Sequence, residues 1–163
     1  MDSSGNIYVA EIYNFRVRKL TYYDSSTSSL IIDTVAGAGG GDGGAATAAM
    51  LNSPHGVKVD SSGNLYISDY SNQKIRKVSS AGTISTVAGM GYAFYYGINI
   101  QATSAALNFP FGIGLDTSNN IYIADRASHL IRKVTVSTGI ITTVAGKGST
   151  VGTVSDNIAA TSS

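Results

Sequence analysis

The chain has 163 residues, 43% of them apolar, which is enough for one ordinary domain with a buried core. Only 13% are charged and the formal net charge is +1, which argues against a nucleic-acid binder driven by a basic surplus. There is no cysteine, so disulfides, cysteine metal sites and cysteine nucleophiles are excluded, and no run approaches the roughly 18 apolar residues of a membrane-spanning helix. The compartment stays open, an extracellular one included. Met1 is followed at once by Asp2-Ser3-Ser4-Gly5, which is the inside of a repeat and not a signal peptide. The chain therefore reads as a piece of a longer one.

One stretch is written three times, at 2–20, 60–78 and 116–134, with starts 58 and then 56 residues apart. Thr-Val-Ala-Gly keeps time with it at 34–37, 86–89 and 143–146, and Leu-Asn-x-Pro-x-Gly appears at 51–56 and 107–112. A fixed period of this kind decides the architecture before any single residue does.

In chain order, each full repeat predicts four short strands. The first follows Pro-x-Gly, at 56–59 and 112–115. A tight turn comes next, with Gly5, Gly63 or Asn119 at the position that demands a left-handed backbone. The second strand, at 7–10, 65–68 and 121–124, is almost continuously apolar, which predicts burial on both faces of its sheet. The third, at 16–20, 74–78 and 130–134, is mixed and carries a band of Arg and Lys, as expected for a solvated strand nearer the outside. A turn with Gly82 or Gly139 leads to the fourth, at 84–87 and 140–144; in the first copy this turn is longer, from 21 to 29. Long Gly- and Ala-rich connections follow, at 38–53 and 90–109, and their first duty is to carry the chain to the next repeat. Strand chemistry excludes a helical solenoid, and a sandwich does not account for the recurrence. Four-stranded units repeated radially make an all-β propeller.

The pattern Asp-x-x-Gly-Asn-Leu-Tyr-Ile-x-Asp…Ile-Arg-Lys-Val, with Pro-x-Gly-Val before it and Thr-Val-Ala-Gly after it, resembles the NHL repeat family. The resemblance implies a β-propeller, often six-bladed, with one blade per repeat. On that reading the blades span about 2–37 (its inner strand missing), 54–89 and 110–146, with 147–163 a trailing connection. That is eleven strands, a partial propeller equal to about half of a six-bladed ring. The implied partners are the remaining blades of a longer chain or a second copy, with a protein or glycan ligand possible and no membrane.

Residues that could carry function divide into repeated and unrepeated ones. Asp69 with Arg76, and Asp125 with Arg132, recur once per blade and read as structural ion pairs across a hairpin. His55, in Pro54-His55-Gly56, stands where an innermost strand begins, and Phe111 is its counterpart in the next repeat. The resemblance extends to amidating lyases on similar propellers, which bind metal through several His residues at the channel. One His so placed, with His129 in a distant turn, is too few for zinc, so no metal or cofactor is expected. The run 39–44 suggests a cation loop, but one carboxylate is too few for calcium, and flexible linkage is the expectation. Tyr92, Phe94, Tyr95 and Tyr96 lie in a connection that is Gly-rich in the preceding repeat; they fold back on the blade or give specificity to a ligand. The overall expectation is a non-catalytic scaffold. A propeller enzyme fragment (metal-dependent lyase or hydrolase) and an RNA-binding propeller are the rivals.

Overall fold

The computed structural model describes residues 1–24, 29–37, 39 and 42–146, with side chains left aside at 22–24 and 29–30. Its strands, in order, are β1 (Ile7–Glu11), β2 (Arg16–Asp24), β3 (Ser29–Ala36), β4 (Pro54–Val59), β5 (Leu65–Asp69), β6 (Lys74–Val78), β7 (Ile84–Ala88), β8 (Ile100–Gln101), β9 (Pro110–Leu115), β10 (Ile121–Asp125), β11 (Leu130–Thr135) and β12 (Ile140–Ala145). They form three antiparallel sheets, in the orders β1-β2-β3, β4-β5-β6-β7 and β9-β10-β11-β12-β8. The chain is all-β, and each sheet is one blade of a propeller.

The Pro-x-Gly strands are the innermost. β4 lies against β9 of the next blade and against β1 of the preceding one. Gly56 marks the closest approach: a Cβ there would fall 2.7 Å from both the Phe111 carbonyl oxygen and Ser68 Oγ. That Oγ instead donates to the Phe111 carbonyl at 2.8 Å, tying two blades together at the centre. Only a residue without a side chain allows this approach.

Two apolar clusters fill the two gaps between blades. Val17, Ala36, Leu51, Leu65, Ile67, Val78 and Ile84 close the first. Tyr66, Ile75, Ala88, Leu107, Ile121, Ile123, Val134 and Ile141 close the second. Successive residues of a strand point to opposite faces, so β5 serves both clusters: Leu65 and Ile67 face one neighbour and Tyr66 the other. All five residues of β5 are buried. β10 alternates buried and half-buried, and in β1 Ile7 and Val9 are exposed. The continuous apolar pattern thus matches two-sided burial in the middle blade alone.

Three expectations need correction. The third blade has five strands, not four, because the connection before it runs antiparallel along β12 as β8, pairing Ile100 with Ile141. The first hairpin is not an open turn from 21: β2 continues to Asp24 and pairs with β3 from Ser29, since Thr and Tyr favour the ladder; only 25–28 lie outside the described residues. The third strand is not simply a solvated one. Arg76 and Arg132, at its centre, are 4% and 0% exposed.

Candidate functional site

Most repeated polar residues are consumed in building the blade. Asp60 Oδ1 accepts the backbone N–H groups of Ser62 and Asn64, while Oδ2 accepts the Asn64 amide at 2.8 Å and the Tyr66 hydroxyl at 3.3 Å. Asp2 and Asp116 repeat this set with Asn6, Tyr8, Asn120 and Tyr122. The side-chain hydrogen bond from Asn6, aided by Tyr8 and two backbone N–H groups, lowers the Asp2 pKa to about 2. At Asp60 burial pulls upward, yet the same kind of hydrogen bonds leaves the carboxyl below its ordinary value. Burial, with the aspartate beside it, pushes the Tyr8 and Tyr66 hydroxyls up to about 12.

The repeated Asp–Arg pairs lie deeper. Asp69 Oδ2 is 3.0 Å from Arg76 Nη1, and Asp125 Oδ2 is 3.7 Å from Arg132 Nη1. Among the described residues no ion pair joins Glu11 to Arg18, the corresponding positions of the first blade. Each Asp also receives the incoming chain: the Asn52 N–H donates to Asp69 at 2.7 Å and the Asn108 N–H to Asp125 at 2.6 Å. This explains Leu-Asn-x-Pro-x-Gly, in which Leu fills the gap between blades and the Asn backbone docks on the Asp. Burial raises the pKa of both carboxyls, opposed by these N–H donors and the Arg.

The two connections cap the two arginines differently. Arg76 donates to Asp42, whose other oxygen accepts the Thr86 hydroxyl, so residues 42–44 do not act as the flexible linkage expected. One carboxylate is too few for calcium but suffices for a guanidinium. Arg132 donates to the Gly97 carbonyl and sits 5.3 Å from the centre of the Tyr95 ring. Tyr92, Phe94, Tyr95 and Tyr96 are all exposed, and no ring pair among the described residues joins them to His55 or Phe111.

His55 and Phe111 do come together. At the end where the innermost strands begin, their ring centres are 4.4 Å apart with planes inclined by 30°. Tyr70, in a 3-10 turn after β5, meets His55 edge-on at 4.6 Å and Phe109 at 5.0 Å. Arg126, from the matching turn after β10, donates to the Tyr70 hydroxyl at 3.2 Å. Burial first, and then the Arg126 charge, lower the His55 pKa, so the imidazole is neutral near pH 7. Phe111 and Arg126 also line a cavity of about 360 Å³, together with Ala124, His129, Leu130 and Ile131. Among the described residues no group of three or more His, Asp or Glu is arranged to hold a metal.

Tyr70, Phe109 and Arg126 escaped the sequence reading. Their signal was variation at fixed repeat positions. The residue after the repeated acid is Ile12, Tyr70 or Arg126, and the two variable places of Leu-Asn-x-Pro-x-Gly hold Ser53 and His55, or Phe109 and Phe111.

Comparison with known proteins agrees with the repeat geometry. The model of the teneurin NHL domain matches residues 34–97. NHL repeat-containing protein 2 of Gallus gallus is 38% identical over 97 residues, which is 58% of this chain and 13% of that protein. The repeats of this chain are similar to NHL repeats. Among solved structures, an auxiliary nutrient binding protein from Bacteroides thetaiotaomicron superposes with a TM-score of 0.62 at 24% identity, over 77% of this chain and 33% of its own. A streptogramin B lyase superposes with a TM-score of 0.54 at 18% identity, over 87% of this chain and 37% of its own. At these identities the likeness concerns the fold, and this chain spans about a third of each.

Proposed function

We propose that this NHL segment is a non-catalytic binding scaffold, whose ligand sits at the end of the propeller where the innermost strands begin. The observation that supports this is the cluster of His55, Tyr70, Phe109, Phe111 and Arg126, drawn from two blades and composed wholly of residues that vary at fixed repeat positions. Invariant repeat positions go to turns and buried pairs; the variable ones converge on one surface. Aromatic and arginine side chains at a rigid surface are the usual anchors of recognition. The flanking partners are further blades, supplied by a longer chain or a second copy. Tyr92, Phe94 and Tyr96 form a second, outlying candidate surface.

Ligand-observed NMR with the 163-residue chain tests the reading against peptide and glycan fragment sets. Binders should lose their signal transfer on Phe111→Ala with the fold retained by circular dichroism. Binders that respond to Tyr92→Ala and not to Phe111→Ala would move the site, and turnover of any binder would overturn the non-catalytic reading.

A further inference from the structure

Between the first connection and the second blade lies a polar recess of about 310 Å³. Asp42 and Met50 of the connection, Ser71 of the turn after β5, and Lys74 and Arg76 of β6 line it, with Gly91 of the second connection at its side. These walls belong to the second blade and to the connections on either side of it, so a blade added at either end of the chain does not seat there. Its charge is arranged in two poles. Arg76 sets one positive charge against two carboxylates, Asp69 and Asp42, so that group is negative by one. Its accessible part is Asp42, whose side chain is 41% exposed. Each Asp42 oxygen accepts one hydrogen bond, from Arg76 or Thr86, and a carboxylate has about four acceptor positions, so acceptor capacity remains. Lys74 is the positive pole: it is half-buried, and among the described residues no carboxylate is in ion-pair range of it. The backbone of the second connection restricts its swing, since a Cβ at Gly91 would fall 3.3 Å from Lys74 Cε.

In the next gap both poles are lost together. Leu130 and Ala127 stand where Lys74 and Ser71 do, and the Gly97 carbonyl and the Tyr95 ring take the place of Asp42 on the arginine. Closing a gap between blades therefore requires neither pole. We infer that this recess binds a small zwitterion, one carboxylate and one ammonium on a short aliphatic chain, as in a free amino acid. The carboxylate meets Lys74 and takes the Ser71 hydroxyl, the ammonium meets Asp42, and the methylene chain lies on Met50. The poles cancel, so a ligand of one sign leaves a pole unmatched; a polyanion would bring one ammonium its partner and set its other charges against the acidic group. The inference adds a second site to the scaffold reading and does not depend on the ring cluster.

The test is an amide-resolved NMR titration of the full 163-residue chain. The zwitterions are L-alanine, γ-aminobutyrate and ε-aminocaproate, whose charges stand progressively farther apart; butyrate and n-butylamine carry one charge each. At least one zwitterion should bind at least about tenfold more tightly than either singly charged analogue, a difference of roughly 1.4 kcal/mol, with shifts centred on residues 71–74 and 91. Lys74→Met should remove the preference over n-butylamine, and Asp42→Asn the preference over butyrate. Lys58→Met, at an exposed lysine of the same blade, should alter neither. No zwitterion bound more tightly than its singly charged analogues, a preference unchanged in Lys74→Met, or shifts confined to other residues overturns the inference. Asp42→Asn also loosens the cap on Arg76, so Lys74→Met, which touches no ion pair among the described residues, decides the matter where Asp42→Asn fails to fold.

Discussion

The two inter-blade connections follow the same path and end on the same kind of group, yet they do so with different chemistry. The first brings Asp42 to Arg76, so that guanidinium has two carboxylates. The second brings the Gly97 carbonyl and the Tyr95 ring to Arg132, which has one carboxylate at 3.7 Å and two buried nitrogens, Nε and Nη1, without a hydrogen-bond acceptor. A buried arginine on the third strand is thus common to the second and third blades, while the means of satisfying it is left to the variable segment. The difference teaches that a loop can diverge freely only if it still delivers an acceptor to one fixed point.

The largest expected effect tests this directly. Removing one partner of a buried pair costs about 3–5 kcal/mol, because a charge is left without compensation. Asp125→Ala should fall at the upper end, since Arg132 then keeps no carboxylate. Asp69→Ala should fall at the lower end, because Asp42 remains on Arg76. Urea unfolding of the two variants gives the ranking, and the reverse order would show that the extra carboxylate contributes little.

Next come the two inner glycines. A Cβ at Gly56 would meet backbone atoms of the neighbouring blade, whereas at Gly112 the nearest atom is Ala124 Cβ at 3.6 Å. Gly56→Ala should cost about 1–3 kcal/mol by overpacking, and Gly112→Ala no more than about 0.5 kcal/mol. Thermal unfolding of each variant decides between them.

The caps themselves should matter less. The Asp42 side chain is 41% exposed, so Asp42→Asn should cost no more than about 1 kcal/mol and the loss should diminish in high salt. Tyr95→Leu should cost about 0.5–2 kcal/mol through the lost cation–π contact, with little salt dependence. Unfolding of both variants in low and high sodium chloride separates a charge cap from a ring cap.

The smallest effect is the response to acid, and its sign differs between turn and interior carboxylates. Asp2, Asp60 and Asp116 titrate below the ordinary value of 3.8 in the folded chain, Asp2 at about 2. The unfolded chain then binds more protons, so their contribution is present above 3.8 and is lost as pH falls through the lower folded values. For Asp69 and Asp125 the folded pKa is raised, the folded state binds more protons, and stability falls as pH rises from 3.8 through that raised value. Melting curves between pH 2 and 6 (roughly the carboxylate range) should show a flatter acid limb for Asp60→Asn. Asp125→Asn should lose the decline above it.

How much of this was legible follows from what repetition encodes. The two copies of Asp-x-x-Gly-Asn, the third with Asn119 for the glycine, and the three of Thr-Val-Ala-Gly made the strands and turns readable, because each copy meets the same local hydrogen-bond demand. Burial depth was not readable, since whether Arg76 meets water depends on Asp42, thirty-four residues away in a segment that looks like a linker. Nor was the site, apart from His55 and Phe111. Tyr70 and Arg126 occupy the same repeat position in successive blades, and nothing in either sequence neighbourhood tells that the two turns face one another across the gap.

One consequence follows from the path of the connections. Residues 42–46 bond to Ile84 and Gly82, and 99–102 to Ile141 and Gly139, so each segment is secured by a strand made about forty residues later. On a ribosome adding roughly 5–20 residues per second, that interval lasts about 2–8 s. Throughout it the segment that will cover the finished blade is held by that blade alone, through bonds such as Gly37 N–H to the Ala46 carbonyl and Gly89 N–H to the Ala102 carbonyl. Each such interval is a window for a chaperone or for a mistaken partner. The Gly- and Ala-rich composition of the first connection is suited to waiting in it, because it offers few large apolar side chains with which to stick.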